Sequence, residues 1–328
     1  MSQLKILLCV NNYSYFQRDP VTGPKSLLAL INILEHHECK ILLLTKKIEK
    51  LGTFPTKNMD IYELTSINLI NKMPKCDIII CDRSNIIKSL IIAKVFKKRI
   101  CLRLLGMAGR LQSRRVLSYR KLCIFVTRLM PLDLIISTLD GSTSEGPNFI
   151  KSQKFRHRIN GVEKFLKSNT DIDSKLFFFV GRDSEEKGVD VVIQYFKYKM
   201  SGDRTLLLFG PSGNSTSYKD DSGSTVNIIF KGFIKREDII SQIQPAIAMI
   251  SCNHHGCLGN SELEAIQMGK QILYLGPKEK LNYIPKSLKK YFITDISALR
   301  CNTLSINTVP DFGTVHLCDG KEIINLIK

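Results

Sequence analysis

The chain has 328 residues, enough for two domains of ordinary size. Charged residues make up 24% of it and hydrophobic residues 44%, a globular balance that excludes a disordered or fibrous protein. It carries 48 basic and 30 acidic side chains, a formal net charge of +18, and no apolar run that approaches the roughly 18 residues needed to span a membrane.

Short apolar runs rich in β-branched residues alternate with longer segments of helical period along the whole chain. The predicted strands of the first half are Leu4–Val10, Lys40–Leu44, Cys76–Cys81, Arg99–Leu104 and Asp133–Ser137, with helices at Pro24–Glu38, Ser84–Val95 and Gln112–Leu129. The predicted strands of the second half are Leu176–Val180, Thr205–Phe209, Val226–Phe230, Ala246–Ile250 and Gln271–Leu275, with helices at Gly188–Met200, Glu237–Gln242 and Gly259–Met268. The final segment, Lys321–Lys328, is a further short helix candidate.

This alternation predicts an α/β protein with parallel sheets and right-handed crossovers. The alternation of strands and helices begins again near Leu176, after the polar stretch Lys164–Asp173. This predicts a domain boundary there, with domains at residues 1–165 and 166–328. We expect two doubly wound, Rossmann-like domains facing each other across a cleft, because open α/β sheets bind ligands at the carboxyl ends of their strands.

The positive charge is concentrated in the first domain. Residues 1–165 hold 28 basic and 12 acidic side chains, whereas residues 166–328 hold 20 and 18. Between Asp82 and Asp133 there are 13 basic residues and no acidic one. A field of one sign attracts an anionic partner, which can be a lipid surface, a nucleic acid or a phosphorylated substrate.

The segment Val180–Gly188 has the most features of a binding site, and it leads from a buried strand through a turn into a helix. Gly181 allows a ligand to approach the backbone closely, and the following helix offers unpaired N–H groups. Arg182 and Lys187 add two cations at the same place. On physical grounds, the segment predicts a binding site for a diphosphate.

A second segment, Ser251–Ala265, runs from a strand through a glycine-bearing loop into a helix. Peptide N–H groups around Gly259, Asn260 and Ser261 are expected to face an anion. Glu264 lies one turn into the helix, where it can accept hydrogen bonds from ribose hydroxyls. Glu262 points about 200° away and is predicted to face solvent.

Other features exclude alternatives. The adjacent histidines His254 and His255 lack a third ligand at a set spacing, so no metal site is predicted. The loop Asn11–Pro24, which includes Gly23, contains neither a dinucleotide fingerprint nor a P-loop. Ten cysteines without a C-x-x-C pair predict reduced thiols, and the first apolar run reads as a strand without a cleavage site, so we expect a cytoplasmic protein.

Taken in order, several segments resemble the GT-B glycosyltransferases of family 4, the group 1 glycosyltransferases. The segments that carry the resemblance are Thr22–Ser26, Ile159–Glu163, Val180–Arg182 with Glu186–Gly188, Phe230–Phe233, and Leu263–Ala265 with Met268–Lys270. The resemblance spans nearly the whole chain and is most specific in the second half.

The resemblance implies a retaining transfer of a sugar from a nucleotide diphosphate donor, with no bound metal and no cofactor besides that substrate. Arg182 and Lys187 match the family's diphosphate-binding pair and would act in catalysis, and Glu264 matches the glutamate that holds the donor ribose. Gly23, Gly181 and the peptide groups from Leu258 to Ser261 would complete the donor site.

The chain departs from the family pattern at two places that touch the donor sugar. The first glutamate of the E-x7-E element is replaced by Gly256, and the family's His-Gly pair is replaced by Leu105 and Gly106. These departures leave open an unusual donor sugar, or a catalytically degenerate subunit that binds a nucleotide or glycan as a scaffold.

The acceptor is inferred from charge. The segment Ser113–Met130 mixes apolar residues with basic ones, among them Arg114, Arg115, Arg120 and Lys121. Such a helix can lie on an anionic membrane surface, or it can be an ordinary domain helix. We expect a glycan or lipid-linked acceptor and peripheral association with the membrane. A nucleic-acid-modifying glycosyltransferase stays open, although few aromatic residues lie among the basic ones.

Overall fold

In the computed structural model, the chain divides into two compact units, which are residues Met1–Gly161 with Gly313–Lys328, and residues Val162–Phe312. The structure describes residues 3–10, 30, 31, 34–45, 58–82, 86–104, 117–138, 152–158, 171–219, 222–254, 256–299, 323 and 325. Relative to the predicted domains, the C-terminal residues group with the first unit. Ile323 accounts for this in part, because its side chain is buried in the core of that unit.

The first unit is built on a parallel sheet of seven strands in the order β3-β2-β1-β4-β5-β6-β7. The strands are β1 Lys5–Val10, β2 Lys40–Thr45, β3 Met59–Glu63, β4 Ile78–Asp82, β5 Arg99–Leu104, β6 Leu132–Thr138 and β7 Ser152–Arg158. The central strands are buried on both faces, and their sequences are mostly apolar, although β5 includes the fully buried Arg103.

Three described helices cover one face of this sheet: α1 Ser66–Lys72, α2 Ile86–Val95 and α3 Leu117–Leu129. The hydroxyl of Thr65 caps α1 by accepting a hydrogen bond from the backbone N–H of Asn68 at 3.1 Å. Residues 30, 31 and 34–36 are helical and pack on the opposite face, where Leu30 and Leu34 are buried.

The second unit has its own sheet of seven strands, in the order β10-β11-β9-β8-β12-β13-β14. These are β8 Asp173–Val180, β9 Arg204–Phe209, β10 Thr216–Lys219, β11 Thr225–Gly232, β12 Ala246–Ser251, β13 Gln271–Tyr274 and β14 Phe292–Ile293. All neighbouring pairs are parallel except β10 with β11, which is antiparallel.

The helices of the second unit are α4 Val189–Lys199, α5 Arg236–Ile243 and α6 Asn260–Gln267. Short 3-10 helices lie at Glu185–Lys187, Lys278–Tyr283, Lys289–Tyr291 and Ile296–Ala298. Both units therefore confirm the predicted parallel α/β class, and each predicted strand overlaps an observed one. Four strands were not predicted, namely β3, β7, β10 and β14, and all four lie at sheet edges. Helix α1 was not predicted either.

Candidate functional site

Two loops of the second unit lie side by side because the strands that precede them are neighbours. Strand β8 ends at Val180 and pairs with β12, which ends at Ser251. The backbone N–H of His254 donates a hydrogen bond to the carbonyl of Glu186 at 3.0 Å, so the loop after β12 is tied to the loop after β8. Parallel pairing thus brings together Glu186 and His254, which are 68 positions apart in the sequence.

Gly188 makes the close approach of the two loops possible. It has φ +59°, a left-handed conformation, and a Cβ at this position would lie 2.8 Å from Sγ of Cys252. Only glycine combines this conformation with such close packing at low cost. Helix α4 begins directly after Gly188, so its first turn is held against the end of β12.

The central relation in the site is between Lys187 and Gly259. A Cβ built on Gly259 would lie 3.7 Å from Nζ of Lys187, so the ammonium group lies beside the first residue of the loop-to-helix junction. Gly259 is the N-cap of α6 and has no side chain to cap the helix. A cation and the positive end of a helix dipole therefore meet at Gly259, where both favour a phosphate, although Oε2 of the buried Glu262 lies 2.7 Å from the same Cβ position.

Glu262 overturns one sequence-based prediction. It was predicted to face solvent, but it is only 1% exposed. Its Oε1 accepts a hydrogen bond from the hydroxyl of Ser251 at 2.6 Å, and its Oε2 accepts one from Ser261 at 3.1 Å. Glu262 points away from Glu264, as the helical period predicts, but it points toward Ser251 at the end of β12. The sequence of one helix does not reveal this buried partner.

Arg182 has a different environment from Lys187. Its side chain is 66% exposed, and its Nη2 lies 3.7 Å from Oε2 of Glu186, four residues further along the chain. An exposed ion pair of this kind is weak, at about 0–1 kcal/mol. The structure thus brings Lys187 to the helix terminus and leaves Arg182 in a surface ion pair that is readily exchanged.

Gly181 and Gly210 pack the backbone where β8 and β9 end. The N–H of Gly181 donates to the carbonyl of Phe209 at 3.0 Å. Gly210 has φ +104°, and a Cβ there would lie 2.0 Å from the carbonyl oxygen of Gly181. A Cβ on Gly181 itself would lie 2.9 Å from the ring of Phe179, so the absence of a side chain there leaves room for that ring.

The remaining predicted donor residues lie around the start of α6. Leu258 is buried, whereas Asn260, Ser261 and Glu264 are half-buried. The loop before them is anchored to strand β13, because the hydroxyl of Tyr274 donates a hydrogen bond to the carbonyl of Asn253 at 2.8 Å. Burial is the main cause of the raised pKa of Tyr274, so its hydroxyl stays a proton donor.

The loop before α6 is also anchored at Cys257, whose Sγ donates to the carbonyl of Lys280 at 3.0 Å. Nearby, Sγ of Cys252 lies 3.7 Å from Nε2 of His254, and burial raises the pKa of this thiol. No group of three or more metal-ligating side chains occurs within the part of the chain that the structure describes.

The predicted residues of the first unit are only partly placed. Gly23, Arg114 and Arg115 lie outside the described residues. Arg120 lies in helix α3, but its side chain is not described, whereas Lys121 is exposed on the same helix. Across the described ranges, no helix has the length and apolar character that crossing a membrane requires.

One known protein family matches most of the second unit. The family described as Glycosyl transferases group 1 matches residues 162–275, a range that includes Lys187, Gly259 and Glu264. No curated protein matches the sequence.

Solved structures resemble the whole chain at low sequence identity. A sucrose-phosphate synthase from Thermosynechococcus elongatus has a TM-score of 0.59 and 14% identity, with 99% of this chain and 95% of that chain covered. WaaG, a glycosyltransferase involved in lipopolysaccharide biosynthesis, has a TM-score of 0.53 and 14% identity, with 97% and 99% covered. T4 phage BGT in complex with its UDP-glucose substrate has a TM-score of 0.50 and 10% identity, with 99% and 93% covered. The chain has the GT-B fold of these structures.

Proposed function

Residues 162–275 match the glycosyl transferases group 1 and the chain has the GT-B fold, and on this premise we propose that the protein is a metal-independent retaining glycosyltransferase. The family match and the fold support sugar transfer as its activity. The donor is a sugar linked to a nucleoside diphosphate, and the acceptor is a glycan or a lipid-linked molecule at a membrane surface. The proposed place of action is the cytoplasmic side of that membrane.

The observation that carries the proposal is the position of Lys187 beside Gly259. During transfer, the bond between the anomeric carbon and the diphosphate oxygen breaks, and its electron pair leaves on the diphosphate. Preorganised positive charge at the leaving oxygen stabilises that transition state. Nζ of Lys187 and the first N–H groups of α6 provide such charge at one point.

Arg182 and Glu264 complete the proposed donor site. Because Arg182 is largely exposed and only weakly paired with Glu186, binding of a diphosphate can replace that ion pair at low cost. Glu264 lies one helical turn beyond Asn260 and is only partly buried, so its carboxylate can accept hydrogen bonds from ribose hydroxyls. One structure of the same fold was solved with UDP-glucose, which is consistent with a donor of this class.

One observation favours a second candidate function. Gly256 stands where the resemblance predicts a glutamate that contacts the donor sugar, and this glycine is buried. A chain with the diphosphate features but without that carboxylate could bind nucleotide as a non-catalytic scaffold subunit. Turnover separates the two functions, since only the enzyme consumes the donor.

The test is a thermal-shift series with nucleoside diphosphates of different bases, followed by transfer assays with matching sugar nucleotides and a crude lipid extract. We expect one diphosphate to raise the melting temperature, and we expect Lys187→Ala and Arg182→Ala to remove that rise. Lys199→Ala is the matched control, because Lys199 is an exposed lysine of the same unit at the far end of α4. Binding without turnover would favour the scaffold, and no response to any nucleotide would refute both functions.

A further inference from the structure

Helices α1, α2 and α3 form one continuous surface on the first unit. Each buries a side chain in the same core cluster against the sheet, namely Leu69, Leu90 and Val126. Helix α2 contacts both α1 and α3. Their outward sides therefore lie next to one another, and we call this area the three-helix surface.

The three-helix surface exposes large apolar side chains. Seven of the eleven exposed large hydrophobic residues in the described parts of the chain lie on it. They include Ile67 (71% exposed) on α1, Ile91 (42%) and Val95 (72%) on α2, and Leu122 (47%), Phe125 (61%) and Leu129 (66%) on α3. A single exposed apolar residue needs no explanation, but a contiguous group marks an interaction site.

The spacing of these residues shows that they form stripes along the helices. On α3, Leu122, Phe125 and Leu129 are separated by three and four residues, so they follow one side of the helix. On α2, Ile91 and Val95 are four residues apart and are likewise aligned. The core requires none of these side chains, because other residues of the same helices fill it.

The charge of the three-helix surface has one sign. None of the three helices contains an aspartate or glutamate. Lys88 on α2 is exposed, and so are Lys121 and Arg128 on α3. Lys121 and Arg128 are seven residues apart and therefore lie along one edge of the apolar stripe of α3.

We propose that the three-helix surface binds an anionic lipid bilayer. The apolar side chains would enter the interface while the basic residues contact lipid phosphates, which is the usual division of roles at such a surface. This inference rests on the proposed function, which places the acceptor at a membrane, and it names where the membrane meets the protein. It adds α1 and α2 to the single helix that the sequence indicated.

Charge and side-chain chemistry argue against other occupants. A second copy of the same surface would set basic residues against basic residues, which disfavours a symmetric dimer. Nucleic acid would pair with the lysines and arginines but would leave the aliphatic residues of α1 and α2 without a partner, since single strands are bound by aromatic stacking. A bilayer uses both kinds of side chain.

The test is sedimentation of the full chain with vesicles, using either phosphatidylcholine alone or a mixture in which about a third of the lipid is phosphatidylglycerol. We expect binding to the mixed vesicles only. Ile91→Gln with Val95→Gln, and Phe125→Gln with Leu129→Gln, should each weaken binding about tenfold because exposed apolar area is removed. Lys88→Glu with Lys121→Glu should weaken it by at least about tenfold.

The matched control is Val191→Gln with Tyr198→Gln on α4, two exposed hydrophobic residues on one helix of the second unit. This control should bind like the unchanged protein, and all variants should keep its melting temperature. The proposal is overturned if the unchanged protein does not bind the mixed vesicles, or if the control variant loses as much binding as the other variants. It is also overturned if the α2 and α3 changes abolish self-association or duplex DNA binding in place of vesicle binding.

Vesicle binding is measured without a donor, so it is independent of the thermal-shift assay. Binding to mixed vesicles without any response to nucleotides would refute the proposed function and leave the lipid surface standing. A nucleotide response without vesicle binding would refute the surface alone.

Discussion

Glu262 and Ser251 are joined by a buried hydrogen bond of 2.6 Å, in which the serine hydroxyl at the end of β12 donates to the carboxylate on the first turn of α6. The other carboxylate oxygen lies close under Gly259, since a Cβ there would be 2.7 Å from it. This bond fixes the start of α6 relative to the sheet. It therefore positions the helix terminus on which the proposed donor site depends.

We predict that Ser251→Ala lowers the free energy of unfolding by about 1.5–3 kcal/mol, because it removes a hydrogen bond to a buried carboxylate. Urea unfolding measures the change. Ser241→Ala is the control, since its hydroxyl donates to the carbonyl of Asp238 in an exposed position, and its effect should stay within about 0.5 kcal/mol. Equal effects of the two changes would contradict the structural role of the Ser251–Glu262 bond.

Gly259→Ala should weaken nucleoside diphosphate binding about tenfold, which corresponds to about 1.4 kcal/mol. The new methyl group would displace Oε2 of Glu262 and occupy space beside Nζ of Lys187, where a phosphate oxygen is proposed to lie. Calorimetric titration measures the affinity. Gly213→Ala is an equally crowded control, because its Cβ would lie 2.8 Å from the ring of Phe230, and it should leave diphosphate affinity unchanged.

Gly188→Ala should destabilise the second unit more than Gly202→Ala. Both glycines have positive φ, +59° and +80°, so both substitutions carry the cost of a left-handed alanine, about 1–2 kcal/mol. Only the Cβ at Gly188 would also collide with Cys252, whereas nothing lies within 4 Å of the Cβ at Gly202. Thermal unfolding of both variants separates the two costs. Equal melting temperatures would show that the contact with Cys252 does not constrain the loop.

Stability should rise with pH because of Lys270. This lysine is 3% exposed, its Nζ donates to the carbonyl of Gln244 at 2.5 Å, and burial lowers its pKa from 10.5 to about 8. Between these values the unfolded chain binds more protons than the folded one, so the free energy of unfolding increases from pH 8 to 10.5.

Lys270→Met should remove this increase, as urea unfolding at a series of pH values within that window would show. Lys199→Met, at an exposed position, should retain it. If Lys270→Met has the same pH dependence as the unchanged protein, the pKa of Lys270 is not lowered by burial as the structure indicates.

The central strands were predictable because parallel strands that are buried on both faces are largely apolar, although β5 also carries Arg103, which is fully buried. Arg99–Leu104 was predicted with the observed bounds, and β1, β2, β8, β9 and β12 were found within a few residues. The four edge strands were not predicted. An edge strand has only one neighbouring strand and is less buried, so its sequence needs no continuous apolar run. Strand β7, Ser152–Arg158, is the clearest case, since every residue of its sequence SQKFRHR except Phe155 is polar or basic.

Local sequence alone was sufficient for the class of each unit and for the choice of Lys187 and Gly259 as candidates, because a strand, a glycine-bearing turn and a helix start are local features. Sequence could not show that these two residues meet, which follows from the pairing of β8 with β12. It also could not show that Glu262 turns inward or that α1, α2 and α3 share an exposed apolar surface. Those properties depend on which residues from distant segments lie opposite each other, and tertiary packing alone decides that.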